Sequence, residues 1–222
     1  MIERKQASLL SRHEREVLRW LALRLPFWVT PDRLTGFGVF GAVVCLVGYL
    51  ASAVSVHWLW LANLGLLFHW FGDSLDGTLA RVRRIERPNY GFYLDQTIDV
   101  VGNLVIALGV GLSPWVRMDS ALFMLTAYHM LSIHSFVLSV VTRRFHIDVM
   151  GFGPTEMRLG IILMNLAILI SGAEPFPLLG LWITWCDVLI CWAALVMMCV
   201  FVILLYREAN VQRARDRRDQ GL

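Results

Sequence analysis

Charged residues are scarce in this chain of 222 residues, and lysine is almost missing. Aspartate, glutamate, lysine and arginine make up 17% of the sequence, compared with ~25% in typical soluble domains. Lys5 is the single lysine. This shortage of charge argues against an ordinary soluble domain, and we expect no nucleic-acid partner.

Cysteine is also sparse. The four cysteines, at positions 45, 186, 191 and 199, all fall in apolar stretches, and their spacing fits no zinc site. We therefore expect them to be small packing residues without a disulfide. Linkers rich in proline, glycine or serine are missing as well, and so are internal repeats, which indicates one domain.

Apolar residues dominate the composition: 57% of the chain is hydrophobic and the mean hydropathy is +0.61. A helix needs about 20 apolar residues to cross a hydrocarbon core about 30 Å thick. Six stretches approach or exceed that length: 35–56, 57–76, 92–113, 119–142, 155–172 and 178–206. This pattern predicts an all-α polytopic membrane protein with six transmembrane helices.

Basic residues are distributed unevenly between the ends of these stretches. Nineteen of the 20 lie before residue 35, in the loop at 81–87, between 143 and 158, or after residue 206, and Arg117 alone lies on the other side. Because cytoplasmic loops are rich in lysine and arginine, we predict that both termini face the cytoplasm. We expect an integral protein of the bacterial inner membrane.

Residues 8–25 have the pattern of an amphipathic helix. Leu18, Leu21 and Leu25 fall on one side, whereas Arg12 and Arg19 lie largely on the other. Such a helix is expected to rest on the inner leaflet, among membrane lipids. We divide the chain into a juxtamembrane segment (1–34), a six-helix transmembrane domain (35–206) and a basic cytoplasmic tail (207–222).

Four aspartates lie in and beside the apolar stretches: Asp73 and Asp76, three residues apart, and Asp95 and Asp99, four apart. Each pair therefore projects from one side of its helix. A lone carboxylate at bilayer depth costs about 2.5–3.5 kcal/mol, and divalent cations compensate such clusters best. Since cysteine and histidine are missing from the cluster, we predict that all four aspartates bind magnesium, with manganese as an alternative, and that two ions share the cage.

Small residues and an arginine surround the aspartates. Gly77 follows the first pair directly, Ala80 lies one turn further, and Gly91 precedes the second pair. Small side chains let backbone and ligand approach closely, and Arg81 offers a fork of donors suited to phosphate. We interpret this as a site for a nucleoside-diphosphate ester. Pairing of the aspartates with the arginines at 81–87 explains single positions but not the whole set.

The run Asp73-x2-Asp76-Gly77-x2-Ala80-Arg81-x9-Gly91-x3-Asp95-x3-Asp99 resembles the signature of the CDP-alcohol phosphotransferase family. Eight fixed residues at set spacing make the resemblance specific over 27 residues. The predicted six-span layout extends it to most of the chain.

The resemblance implies an enzyme of phospholipid synthesis that transfers a substituted phosphate from a CDP-linked donor to an acceptor hydroxyl and releases CMP. The transmembrane domain would be the catalytic one, the aspartates would share the metals, and Asp99 would be the general base. The family also suggests a homodimer. The cytidine diphosphate pocket would be lined by Gly77, Ala80, Arg81 and Gly91.

Two further segments bear on the substrates. Thr30-Pro31-Asp32-x2-Thr35 resembles the family's entry segment, which would place Asp32 near the nucleotide. Gly153-Pro154-Thr155-Glu156 is similar to a segment of the choline and ethanolamine phosphotransferases, so Glu156 would assist acceptor deprotonation or hold a cation. Its alternative role is to stabilise the first turn of a helix. The lysine-containing motif of many bacterial phosphatidyltransferases is missing, and we favour a CDP-aminoalcohol donor with a diacylglycerol-like acceptor.

Other functions remain open at this point. Arg158 and the pair Arg143–Arg144 either anchor the inner leaflet or hold a phosphorylated acceptor such as glycerol phosphate or inositol phosphate. The second role, or serine as acceptor, would fit a phosphatidyltransferase that uses CDP-diacylglycerol. A divalent-cation transporter would also need carboxylates, but closer to the bilayer midplane.

The remaining polar residues of the apolar stretches have weaker interpretations. Asn63 and Asn165 are expected to link helices. His69 and His134 lie close enough to the cytoplasmic end to approach the site, although hydrogen-bonded packing explains them as well. Asp187 falls in the predicted sixth span and has no assigned role.

Overall fold

The structure, a computed structural model, describes residues 11–142, 153–178 and 180–220. In this part of the chain, seven α-helices are accompanied by a short 3-10 helix (Val56–Trp58) and two β-strands. The helices are α1 (Ser11–Arg24), α2 (Pro31–Ala51), α3 (Leu59–Arg83), α4 (Pro88–Leu112), α5 (Met118–Thr142), α6 (Pro154–Ser171) and α7 (Trp185–Asp219). The predicted all-α polytopic fold is confirmed.

Five helices of the described chain, α2, α4, α5, α6 and α7, are long and apolar enough to cross a membrane. Helix α3 is not among them because polar residues such as Asn63, His69 and Asp73 interrupt its apolar sequence. Its 25 residues would extend over about 37 Å at 1.5 Å per residue. The count of six spans therefore stays a prediction.

Helices α2 and α3 pack backbone against backbone along a seam of glycines. A Cβ atom added at Gly41 would lie 2.8 Å from the carbonyl oxygen of Gly65, and one added at Gly65 would lie 2.7 Å from that of Gly41. At Gly48, an added Cβ would lie 2.8 Å from the Cα of Ala62. Close contact between small residues lets helices associate in lipid. This seam holds α3, and with it the first aspartate pair, against α2.

A buried polar network joins three helices further along the seam. The Tyr49 hydroxyl donates to Asn165 Oδ1 at 2.9 Å, and Asn165 Nδ2 donates to Asn63 Oδ1 at 2.7 Å. All three side chains are buried. The expectation that Asn63 and Asn165 link helices is confirmed, since the bonds connect α2, α3 and α6.

Helix α1 is amphipathic as predicted and lies against α3. Its Leu18 and Ala22 are buried together with Leu75 and Leu79 of α3, whereas Trp20 is 54% exposed. The described helix begins at Ser11, and residues 8–10 of the predicted helix lie outside the described residues.

Arg83, at the end of α3, fastens the connection between α1 and α2. Its guanidinium donates to the carbonyl oxygens of Leu25 and Pro26 at 3.0 Å each and of Val29 at 2.5 Å. The fork of an arginine suits several acceptors at once. From the sequence, Arg83 was only one of several basic residues at 81–87, and these hydrogen bonds were not predicted.

The prediction that the last span begins at residue 178 is wrong. Strands β1 (Phe176–Leu178) and β2 (Leu181–Ile183) form an antiparallel pair, and α7 begins at Trp185. Helix α7 then continues through the predicted tail to Asp219.

Asp187 has a structural role at the beginning of α7. Its Oδ2 accepts from the Thr184 backbone at 2.9 Å, and its Oδ1 accepts from the Arg117 backbone at 2.9 Å. The carboxylate therefore satisfies two backbone donors beside the positive end of a helix. Asp187 lies in the first turn of α7, not deep within a span.

Candidate active site

Helices α3 and α4 bring the four aspartates to one cavity. One carboxylate oxygen from each of Asp73, Asp95 and Asp99 lies within 4.8 Å of the other two. Asp76 lines the same cavity but does not belong to this close group. Helix α4 packs chiefly against α2 and α5 and touches α3 little. The sequence thus predicted the convergence of the two pairs, and we call these four residues the acidic cage.

Asp76, which lies outside the close group of three, accepts hydrogen bonds from two donors. The Thr35 hydroxyl donates to its Oδ2 at 2.6 Å, and the Gly77 backbone donates to its Oδ1 at 2.5 Å. Thr35 lies on α2, so the helices α2, α3 and α4 all line the cavity. The sequence placed Thr35 near the nucleotide without predicting this bond.

Asp73 forms an ion pair with Arg158 of α6. Arg158 Nη2 lies 2.6 Å from Asp73 Oδ2, and Arg158 is only 6% exposed. Burial at the cage excludes the first of the two alternative roles of Arg158, that of an inner-leaflet anchor. Arg143 and Arg144, its predicted companions, lie outside the described residues. The partner was not predictable because it lies 85 residues away in sequence.

His69 lies beside the acidic cage and is 2% exposed. Its Nδ1 has no hydrogen-bond partner among the residues that the structure describes. A Cβ added at Gly102 of α4 would lie 2.5 Å from the Nε2 of His69, so glycine leaves room for the ring.

His134 instead contacts Phe201, with ring centroids 6.1 Å apart. The cavity is lined by Thr35, Gly38, His69, Asp73, Asp76, Asp95, Ile98 and Asp99.

The predicted nucleotide-binding residues lie next to the cage but do not line its cavity. Arg81 is exposed and its Nη2 donates to the Thr78 hydroxyl at 3.0 Å. The guanidinium lies over Gly77, where an added Cβ would be 3.4 Å from Nη1. Ala80 is half-buried on the same helix. Gly91 faces open space, since an added Cβ would meet no atom within 4 Å.

Asp32 forms an ion pair with Arg87. The pair connects the first turn of α2 to the residue that precedes α4, and both side chains are about half exposed. The hydrogen bond to Asp32 raises the pKa of Arg87 above its ordinary value. Asp32 therefore lies at the edge of the α3–α4 connection, with no contact to the cage cavity among the described residues.

Glu156 lies in the first turn of α6. Its Oε2 accepts from the Gly153 backbone at 2.9 Å, so the carboxylate satisfies a donor at the beginning of the helix. Glu156 is not among the residues that line the described cavity. Glu156 therefore has the alternative role that the sequence suggested, stabilisation of the first turn of a helix.

The acidic cage suits a hard divalent cation. Its three closest donors are carboxylate oxygens from two helices, and Arg158 pairs with one of them, Asp73. Oxygen donors of this kind favour magnesium or manganese over zinc. We therefore treat the four aspartates as the residues that would hold the ions.

The fold is that of an integral membrane protein, and its acidic cage offers carboxylate oxygens of the kind that divalent cations prefer. Residues 28–200 match the family described as CDP-alcohol phosphatidyltransferase. The chain belongs to this family, which confirms the resemblance noted in the sequence.

Three curated relatives cover parts of the chain. They are phosphatidylinositol phosphate synthase of Cutibacterium acnes (36% identity over 38% of this chain), ceramide phosphoethanolamine synthase of Drosophila melanogaster (34% over 37%) and archaetidylinositol phosphate synthase of Pyrococcus horikoshii (32% over 47%). The matches span 38%, 22% and 52% of the respective relatives. The names of the three relatives give three different products.

Proposed function

We propose that this protein transfers a substituted phosphate from a CDP-linked alcohol to the hydroxyl of an acceptor and releases CMP. The observation that carries the proposal is the convergence of Asp73, Asp95 and Asp99 within 4.8 Å in a chain of the CDP-alcohol phosphatidyltransferase family. When bound, two magnesium or manganese ions would neutralise the diphosphate and stabilise charge on the leaving oxygen.

The chain's own residues have distinct proposed roles. Asp99 accepts the proton of the acceptor hydroxyl, whose oxygen forms a bond to the phosphorus as the bond to the CMP oxygen breaks. Arg81 donates its fork to a phosphate, and Asp32 lies near the nucleotide. Room for the cytidine diphosphate comes from the small residues Gly77, Ala80 and Gly91. These residues lie in the first turn of α2, the second half of α3 or the first half of α4, which supports a single site.

For the substrates, we propose a CDP-aminoalcohol donor and a diacylglycerol-like acceptor. Three observations support this choice: the segment Gly153–Glu156, the absence of lysine after Lys5, and the ion pair with Asp73 that occupies Nη2 of Arg158. Ceramide phosphoethanolamine synthase is a relative whose name fits such chemistry.

The second candidate is a phosphatidyltransferase that joins CDP-diacylglycerol to a phosphorylated alcohol. Two relatives are named for inositol phosphate products. Arg158 Nη1 is buried and has no partner among the described residues, so it could still meet an acceptor phosphate. Under either candidate, we propose that the site opens to the cytoplasm and that the protein is a homodimer.

CMP release from the purified protein tests both candidates. The protein is assayed in detergent with magnesium, either with CDP-choline or CDP-ethanolamine plus diacylglycerol, or with CDP-diacylglycerol plus inositol phosphate, glycerol phosphate or serine. We expect release that requires metal, donor and acceptor together, and that Asp95→Asn abolishes. Release without metal or acceptor in every combination would contradict the proposed reaction.

The role of Glu156 is tested by Glu156→Gln. The amide oxygen can still accept from Gly153, so the beginning of α6 should be preserved, but the negative charge is lost. If Glu156 assists deprotonation of the acceptor, CMP release should fall by about 100-fold without a change in melting temperature. An unchanged rate would leave Glu156 with a structural role at the beginning of α6.

A further inference from the structure

A carboxylate outside the acidic cage bridges three helices. Oε1 of Glu14, on α1, accepts from Trp70 Nε1 of α3 at 2.8 Å and from the Thr155 hydroxyl of α6 at 3.1 Å. Hydrogen bonds to an ionised acceptor are about twice as strong as neutral ones. Glu14 thereby ties α3 and α6 to the same point on α1.

The same two helices meet again at the cage. Trp70 precedes Asp73 by three residues on α3, and Thr155 precedes Arg158 by three residues on α6. Residues three apart lie on the same side of a helix. Because Asp73 and Arg158 form an ion pair at 2.6 Å, a closed ring of contacts runs from Glu14 through α3, the ion pair and α6 back to Glu14.

We infer that Glu14 is a positioning residue for the acidic cage: it fixes α3 relative to α6 so that Arg158 holds Asp73 at its place among the carboxylates. The inference rests on the proposed function, in which Asp73 is a metal ligand. Mutation of a residue that orients a metal ligand without touching the metal typically lowers metal affinity by about 10–100-fold. Glu14 itself touches neither metal nor substrate in this scheme.

Loss of the Glu14 carboxylate should leave the rest of α1 attached. Leu18 and Ala22 remain buried against α3, and Arg83 still binds the carbonyl oxygens that follow α1. The ring of polar contacts can therefore be opened without removing the apolar contacts that hold the helix.

Manganese binding to the purified full chain, followed by electron paramagnetic resonance, tests the inference. We expect Glu14→Ala to weaken manganese binding by about tenfold. Glu14→Gln should bind close to the wild-type value, since its amide oxygen can accept both bonds. Glu16→Ala is the matched control on the same helix, because Glu16 is exposed, and should match the wild type.

The donors provide a second test that leaves α1 unchanged. Trp70→Phe combined with Thr155→Val removes both bonds to Glu14 and should also weaken manganese binding. If either this double variant or Glu14→Ala binds manganese like the wild type, the inference is overturned, whatever the melting temperature; a lower melting temperature would then show that Glu14 only stabilises the fold. If Glu14→Ala is not recovered, the double variant decides. If the wild type itself binds no manganese, both the proposed function and this inference are wrong.

Discussion

Asp99→Asn is expected to lower the rate of CMP release by at least about 100-fold while cytidine nucleotide still binds. The asparagine amide cannot take up the proton of the acceptor hydroxyl. Asp73, Asp95 and Asp76 remain at the cavity, so the residues proposed to hold the ions are mostly preserved. The measurements are CMP release over a range of magnesium concentrations and nucleotide binding by calorimetry.

The metal titration separates two roles of Asp99, because its oxygen also belongs to the close group. If saturating metal restores the rate, Asp99 is a ligand and its assignment as general base is wrong. Asp119→Asn is the control: Asp119 lies at the other end of the helices, 62% exposed and paired with Arg117, and its replacement should leave the rate unchanged.

Gly65→Ala is expected to destabilise the protein by about 1–3 kcal/mol, the usual cost of overpacking, or more. The added Cβ would lie 2.7 Å from both the Gly41 carbonyl oxygen and the Cα of Cys45. Backbone atoms cannot rotate away as a flexible side chain does, so α2 and α3 would have to separate. Thermal unfolding in detergent measures the effect.

Gly160→Ala is the control for Gly65→Ala in the same thermal unfolding experiment and is not expected to destabilise the protein. Gly160 is exposed on α6, and an added Cβ would meet no atom within 4 Å. Alanine is favoured over glycine inside a helix by about 0.5–1 kcal/mol, so this variant should melt at or above the wild-type temperature. Equal melting temperatures for both variants would show that the seam is not tightly packed.

The sequence predicted the features that depend on local spacing. Asp73 and Asp76, or Asp95 and Asp99, project from one side of any helix that contains them, so their meeting across two consecutive helices needed no long-range information. The apolar stretches likewise located the helices, because length and composition suffice to identify a candidate span.

Features that depend on neighbours distant in sequence were missed. The partner of Arg158 and the acceptors of Arg83 lie on other helices and connections. The glycines of α2 and α3 did carry a signal, since small residues recur along both helices, but a single sequence does not tell which faces meet. Part of the hairpin before α7 was assigned to the last span because strand residues such as Leu178 and Trp182 are as apolar as those of a membrane helix.

The two helices that carry the acidic cage, α3 and α4, have little contact with each other. Helix α4 carries Asp95 and Asp99 but packs chiefly on α2 and α5, and it touches α3 little. Cations shared between the carboxylates of both helices would supply an attraction that side-chain packing does not. Since any ligand that binds only the folded state adds to its stability, magnesium in the purification buffer would act as a structural component, and chelator treatment would weaken the attachment of α4 to α3.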